Sequence, residues 1–203
     1  MKVITEACGA LMANMYVVYD DCYNAIVIDP IDADKLSEIL DSTSLSLKAI
    51  FLTHGHFDHA CGLKEIKARY PVTSYVYKDD AELLSDPYKN ASMLLQSPID
   101  LGSCSDCLSD QEVVTFGEIT VKVHHTPGHT MGSVCYEIDG CLFSGDTMFC
   151  GGVGRTDLYG GNSRLLSDSL QKLSHFPENL TVYPGHGSKT TLFREKKYNP
   201  YMN

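Results

Sequence analysis

Apolar positions recur along this chain in two rhythms. Runs dense in β-branched and aromatic residues, the mark of strands, fall at 14–19, 25–28 and 48–52. Between the second and third, residues 33–40 repeat apolar side chains at the spacing of an amphipathic helix. A further helix is predicted over 58–70, with Asp58 near its start, Ala60, Leu63 and Ile66 at helical spacing, and Pro71 as the stop. The strand 72–77 follows. From about 86 to 110 the periodicity lapses into Pro, Ser, Asn, Asp and Gly, an irregular stretch of the kind that covers a site. The pattern resumes with strands at 119–125, 134–138 and 141–144, a helix over 163–175, a short strand at 180–183 and a closing helix over 190–197. A β-rich half followed by helices thus occurs twice. Sheets packed on each other with helices outside would bury both sets of apolar faces. With no repeat at a solenoid period, a single α/β domain spanning 1–203 is the expectation.

Composition narrows the function. The chain is 43% hydrophobic and 21% charged, as a globular protein is. Its net charge of -10 excludes a sequence-independent grip on nucleic acid, which depends on basic residues displacing counterions. The densest basic stretch, 194–197, includes Glu195 and reads as the solvated face of a helix. Behind Lys2 the sequence is broken by Glu6, Asn14, Asp20 and Asp21, which fits neither a signal peptide nor a membrane span. Eight cysteines without an export signal read as free thiols. A cytoplasmic protein with a small-molecule substrate, and neither nucleic acid nor membrane as partner, is expected.

The chemistry concentrates in Thr53-His54-Gly55-His56-Phe57-Asp58-His59, directly after an apolar strand and before a helix. Imidazole nitrogens and carboxylate oxygens are ordinary Zn²⁺ ligands, and a strand end is a rigid platform from which to aim several of them inward. The competing reading is a surface loop with scattered histidines. Three further strand-to-loop junctions weigh against it: Thr126-Pro127-Gly128-His129, Ser144-Gly145-Asp146-Thr147 and Tyr183-Pro184-Gly185-His186-Gly187. Five histidines and two aspartates, His54, His56, Asp58, His59, His129, Asp146 and His186, are more ligands than one tetrahedral ion needs, so two divalent ions, zinc first and iron or manganese as alternatives, are expected.

These segments resemble the metallo-β-lactamase superfamily, and within it the short glyoxalase II-like (hydroxyacylglutathione hydrolase-like) branch. The resemblance covers nearly the whole chain: H-x-H-x-D-H at 54–59, T-P-G-H at 126–129 continuing to Gly132-Ser133, G-D-T at 145–147, G-R-T-D at 154–157, Gly160-Gly161, Y-P-G-H-G at 183–187 and Asn199-Pro200. It implies a four-layer αβ/βα sandwich, a first metal on His54, His56 and His129, a second on Asp58, His59 and His186, and Asp146 bridging the two. Water held between two divalent cations loses its proton far more readily than bulk water, so the expected reaction is attack of hydroxide on a thioester or a similar small acyl compound. Asp58, facing that water, is the candidate for moving the proton.

Arg155 admits two readings, a contact to a carboxylate on the substrate or an ion pair with Asp157 or another acid. Full-length glyoxalase II enzymes carry a C-terminal helical domain that contacts glutathione. After Y-P-G-H-G this sequence has room for one helix, so a weaker, more permissive substrate grip is expected. Met131, where many relatives have proline, and Pro30-Ile31, in place of a Pro-Gly turn, flank the site. Cys104-Ser105-Asp106-Cys107 has the C-x-x-C spacing of redox and zinc sites but no second pair, and His124 and His125 read as packing or supporting residues. Two other functions compete. An iron persulfide dioxygenase of the same superfamily would use the first-metal histidines and Asp146, and a metal-holding module would catalyse nothing. His186 in its intact motif favours the dinuclear hydrolase, and the complete ligand set disfavours the inert module.

Overall fold

The computed structural model describes residues 1–96 and 98–202; Ser97, inside the irregular stretch, and Asn203 lie outside the described residues. Two six-stranded sheets form the centre. The first runs in the order β1 (Lys2–Cys8), β2 (Ala13–Tyr19), β3 (Asn24–Ile28), β4 (Ser46–Phe51), β5 (Thr73–Tyr77) and β6 (Asp106–Leu108). The second runs from β12 (Thr190–Thr191) through β11 (Thr181–Pro184), β10 (Cys141–Gly145), β9 (Val134–Ile138) and β8 (Ile119–His125) to β7 (Val113–Phe116). Both sheets are mixed: β3, β4, β5 and β6 pair in parallel, as do β10 and β11, and the remaining pairs are antiparallel.

Side chains alternate across a strand, so each inner strand feeds two cores. On β2, Met15 and Val17 join an outer core with α1 (Ala33–Thr43) and α3 (Leu63–Arg69), while Tyr16 and Val18 face the second sheet. Ala25 and Val27 against Ile26 and Ile28 repeat the division on β3. The core between the sheets takes Phe51 from the first and Val121, Val123, Tyr136 and Phe143 from the second. A third core lies outside the second sheet, where Leu142 and Val182 meet Leu166, Leu170 and Leu173 of α4 (Ser163–Ser174) and Leu192 of α5 (Leu192–Tyr198). Three cores between helix, sheet, sheet and helix make the four-layer αβ/βα sandwich that the resemblance implied.

Two predicted elements differ. The helix expected over 58–70 is two, α2 (Phe57–Ala60) and α3, broken at Cys61–Gly62. There the Gly62 N–H donates to Pro30 O at 3.0 Å, and a Cβ at Gly62 would lie 2.8 Å from Ile31 O. That docking onto the end of β3 takes the hydrogen bond a continuous helix would have used. The closing helix begins two residues late because Thr190 and Thr191 pair with Val182 and Thr181, after which Thr191 Oγ1 caps the helix by accepting from Arg194 N–H. The irregular stretch holds a short 3₁₀ turn, Ser92–Leu95, and the edge strand β6.

Candidate metal centre

Every ligand-type residue singled out in the sequence leaves a strand at one end of the sandwich. The loop after β4 carries His54 and His56, and α2 follows at once with Asp58 and His59. The loops after β8, β10 and β11 carry His129, Asp146 and His186. The two sheets are pinned together beside them. Val134 N–H donates to Thr53 O at 2.9 Å, Tyr16 Oη–H to Pro184 O at 2.5 Å, and Asn14 N–H to Gly185 O at 2.8 Å.

The structure brings all seven side chains together in three overlapping groups: His54, His56 and His129; His54, His59 and Asp146; Asp58, His59 and His186. Within each, one ligand atom per residue lies within 4.8 Å of the others. Asp146 reaches both ends of the cluster, with Oδ2 3.6 Å from His129 Nε2 and 3.7 Å from His186 Nε2, and Oδ1 3.4 Å from His59 Nε2. His54, His56, His59 and His129 are all at most 3% exposed, whereas the His186 side chain is 27% exposed and faces solvent. Close approach is required at Gly185, where a Cβ would sit 2.1 Å from Asp146 Oδ1 and 2.8 Å from the His59 ring.

The imidazoles are oriented from behind. His129 Nδ1–H donates to the Arg155 carbonyl at 2.7 Å and His59 Nδ1–H to Asp29 Oδ2 at 2.8 Å, which turns both Nε2 atoms into the cluster. Asp29 also accepts from Thr53 N–H and Thr53 Oγ1–H, each at 2.8 Å. It sits at φ 56°, a left-handed conformation that Asp tolerates better than most residues. A second carboxylate, Asp80, accepts from Gly55 N–H at 2.8 Å, Gly132 N–H at 2.7 Å and Thr130 Oγ1–H at 2.7 Å, and is fully buried. It therefore joins the His54 loop to the turn that follows His129. Sequence reading missed both. Asp29 stood at the end of an apolar strand, the same setting as the ligands, and could have been found; nothing in Asp79-Asp80 set Asp80 apart.

Charge and satisfaction together fit a divalent cation. Burial, reinforced by neighbouring imidazoles, pushes His54 and His56 well below the usual histidine range, so both are neutral with lone pairs to offer. Burial works to raise the Asp58 carboxyl, yet the charge of His59 and a hydrogen bond from His186 outweigh it and hold Asp58 low. Burial likewise disfavours a charged His59, but Asp58, Asp146 and Asp29 overcome it and draw positive charge to the position. Among the described residues, His54 Nε2, His56 Nε2 and Asp146 Oδ1 are buried without a hydrogen-bond partner. Buried polar atoms are rarely left so, and metal coordination is the ordinary exception for this donor set.

The model of the metallo-β-lactamase superfamily matches residues 8–186. The chain belongs to the metallo-β-lactamase superfamily. Among similar proteins, the probable metallo-hydrolase YqgX of Bacillus subtilis is 33% identical over 204 residues, 96% of this chain and 94% of that one. Hydroxyacylglutathione hydrolase GloC of Haemophilus influenzae is 30% identical, over 96% and 94%. The crystal structure of the BLEG-1 B3 metallo-β-lactamase matches with a TM-score of 0.95 at 36% identity, covering 100% of both chains. As a metallo-β-lactamase superfamily member whose His/Asp cluster is assembled, the chain is a metal-dependent hydrolase.

The remaining candidates fall outside the cluster. Arg155 lines the cavity that opens on the metal site, but its Nε and Nη2 both donate to Asp157, at 2.6 and 2.8 Å, on an exposed surface. His124 is held by Glu137 at 2.8 Å, and His125 bonds Met131 O at 2.8 Å while stacking on Tyr77, so both support rather than ligate. All eight cysteines are free thiols. Burial pushes Cys104 up to about 12, away from its thiolate form. Among the described residues no helix is long and apolar enough to cross a membrane.

Proposed function

We propose that the chain is a dinuclear hydrolase of a small acyl compound, a thioester above all, with zinc in both positions. The observation that carries this reading is the completeness of the second group: Asp58, His59 and His186 stand together, with Asp29 turning His59 toward the other two. In this assignment His54, His56 and His129 would hold one ion and Asp58, His59 and His186 the other, with Asp146 available to both. Similarity to GloC over nearly the whole length of both chains supports the thioester, while similarity to BLEG-1 makes a β-lactam the rival acyl substrate.

Two divalent cations held there would supply Lewis acidity, the chemistry that makes water nucleophilic near neutral pH and polarises a carbonyl. The chain's own residues do the rest. Asp58 is ionised and borders the open side of the cluster, so its carboxylate can accept the proton that water gives up as it adds to the carbonyl carbon. The same proton then leaves with the thiol as the C–S bond breaks. Asp29, Thr53 and the Arg155 carbonyl keep the imidazoles from rotating, and Leu11, Phe57 and Phe149 limit water around the reacting group.

Elemental analysis of protein made in metal-replete medium, run beside a panel of thioesters and a β-lactam, tests the proposal. About two ions per chain and preferential thioester turnover are expected. A stoichiometry that stays near one, with iron dominant, favours the persulfide dioxygenase, which would leave Asp58, His59 and His186 without a role.

A further inference from the structure

The cleft continues beyond the reacting centre. The cavity at the cluster, about 320 Å³, is walled on its apolar side by Leu11, Phe57, Leu94, Phe149 and Leu158. A second hollow of about 290 Å³ shares Ala91, Leu94 and Leu158 with it and runs on past Tyr88, Met93 and Tyr159. The shared residues make one trough that begins at the metal ligands and leads out along the Ser92–Leu95 turn. Leu94 is 64% exposed in its wall, and Tyr88 and Met93 are exposed as well. Contiguous apolar surface of this kind, rimmed by polar groups, marks a site that something covers.

The charges along the trough say what that something is not. Arg155 spends its fork on Asp157, and Lys89, beneath Tyr159, pairs with Glu82 at 2.6 Å. Asp157 itself lines the second hollow and is held down to about 2 by the hydrogen bond from Arg155, so an anionic group entering there would meet an ionised carboxylate. Beyond the metal ligands, most of the remaining wall is carbon, from Ala91, Met93, Leu94, Leu158 and the rings of Tyr88 and Tyr159.

We propose that this trough binds an uncharged, apolar substituent of the substrate, an alkyl or aryl group attached to the acyl carbon or to the leaving sulfur. The inference rests on the hydrolase reading above and narrows its substrate class toward neutral, apolar thioesters and away from those carrying carboxylates. Burying one methylene fully is worth a factor of about four in affinity, and a trough open to solvent on one side returns roughly two- to threefold per methylene.

Two series of neutral thioesters separate the sources, one lengthening the acyl group from acetyl to octanoyl on N-acetylcysteamine, the other lengthening the alkanethiol on an acetyl group. In at least one series kcat/KM should climb about two- to threefold per methylene, chiefly through KM. Leu94→Asn, at a position exposed enough to spare the fold, should flatten that slope, with a larger loss on octanoyl than on acetyl. Binding of the matching S-alkyl N-acetylcysteamine thioethers, which have no scissile carbonyl, is measured by calorimetry in parallel. Affinity that rises with chain length and loses that rise in Leu94→Asn supports the trough even if no thioester is cleaved, which would sink the hydrolase reading alone. Affinity and kcat/KM that stay flat with chain length, or a slope untouched by Leu94→Asn, overturn it. So does light scattering that shows a dimer dissociated by Leu94→Asn, since a second copy would then be what covers the trough.

Discussion

Asp80 and Asp58 are both carboxylates at the metal end of the molecule, yet their removal should read differently. Asp80 accepts three hydrogen bonds in full burial, none of them from a ligand side chain. In Asp80→Asn the amide sets its NH₂ against a backbone N–H that it cannot serve, a cost of ~1–3 kcal/mol. Tm should fall by roughly 2–12 °C, and a chelator competition should show weaker metal retention, because the His54 loop and the turn after His129 are no longer tied. An unchanged retention with the same loss of Tm would make Asp80 a packing residue only. Asp58→Ala, by contrast, should abolish hydrolysis while circular dichroism stays native; full activity would remove it from the reaction. Arg155→Ala should cost little stability, since exposed ion pairs contribute ~0–1 kcal/mol. Its effect on carboxylate-bearing and neutral thioesters should be alike, because the backbone carbonyl, and not the guanidinium, is what His129 uses. A selective loss of one to two orders of magnitude on the carboxylate substrate, equivalent to ~1.5–3 kcal/mol, would show that Arg155 leaves Asp157 to meet it.

Among elements, those the hydrophobic pattern missed share a position. β1, β6, β7 and β12 are the four edges of the two sheets, and the eight strands between them were all legible. An edge strand buries less: β1 is exposed or half-exposed at every residue but Cys8, and β7 is buried at none. Its apolar signal therefore fades into that of a loop, and β6 and β12, at three and two residues, are too short to show a period. The site was easier to read than the fold's rim because its residue types are chemically unusual and stand at strand ends, as Asp29 also does, whereas Asp80 looks like any acid in a turn. The break between α2 and α3 was invisible for a related reason, since it depends on Pro30 and Ile31 arriving from β3. Gly62→Ala tests that break. Its Cβ must push the Ile31 carbonyl away, at about 1–3 kcal/mol, and Tm should fall by roughly 2–12 °C. An unchanged Tm would mean that the contact yields freely.

At the scale of the whole molecule, metal and stability are linked. Stripping the ions leaves Asp58 and Asp146 beside unpartnered imidazole nitrogens, and the folded state loses whatever binding free energy it held over the unfolded chain. For a site kept a thousandfold above its Kd that is about 4 kcal/mol. Calorimetry before and after chelation should therefore show Tm lower by roughly 8–16 °C per occupied site in a domain of this size. An equal Tm would mean that the cluster binds no ion tightly.

Each of the three groups draws two residues from the segment after β4, the loop and α2 together, and one from a loop of the second sheet. No fragment ending before His129 and none beginning after His59 contains a full set. A full set therefore forms only once both halves of the chain have found each other, so an ion held by one would act as a coincidence detector for assembly.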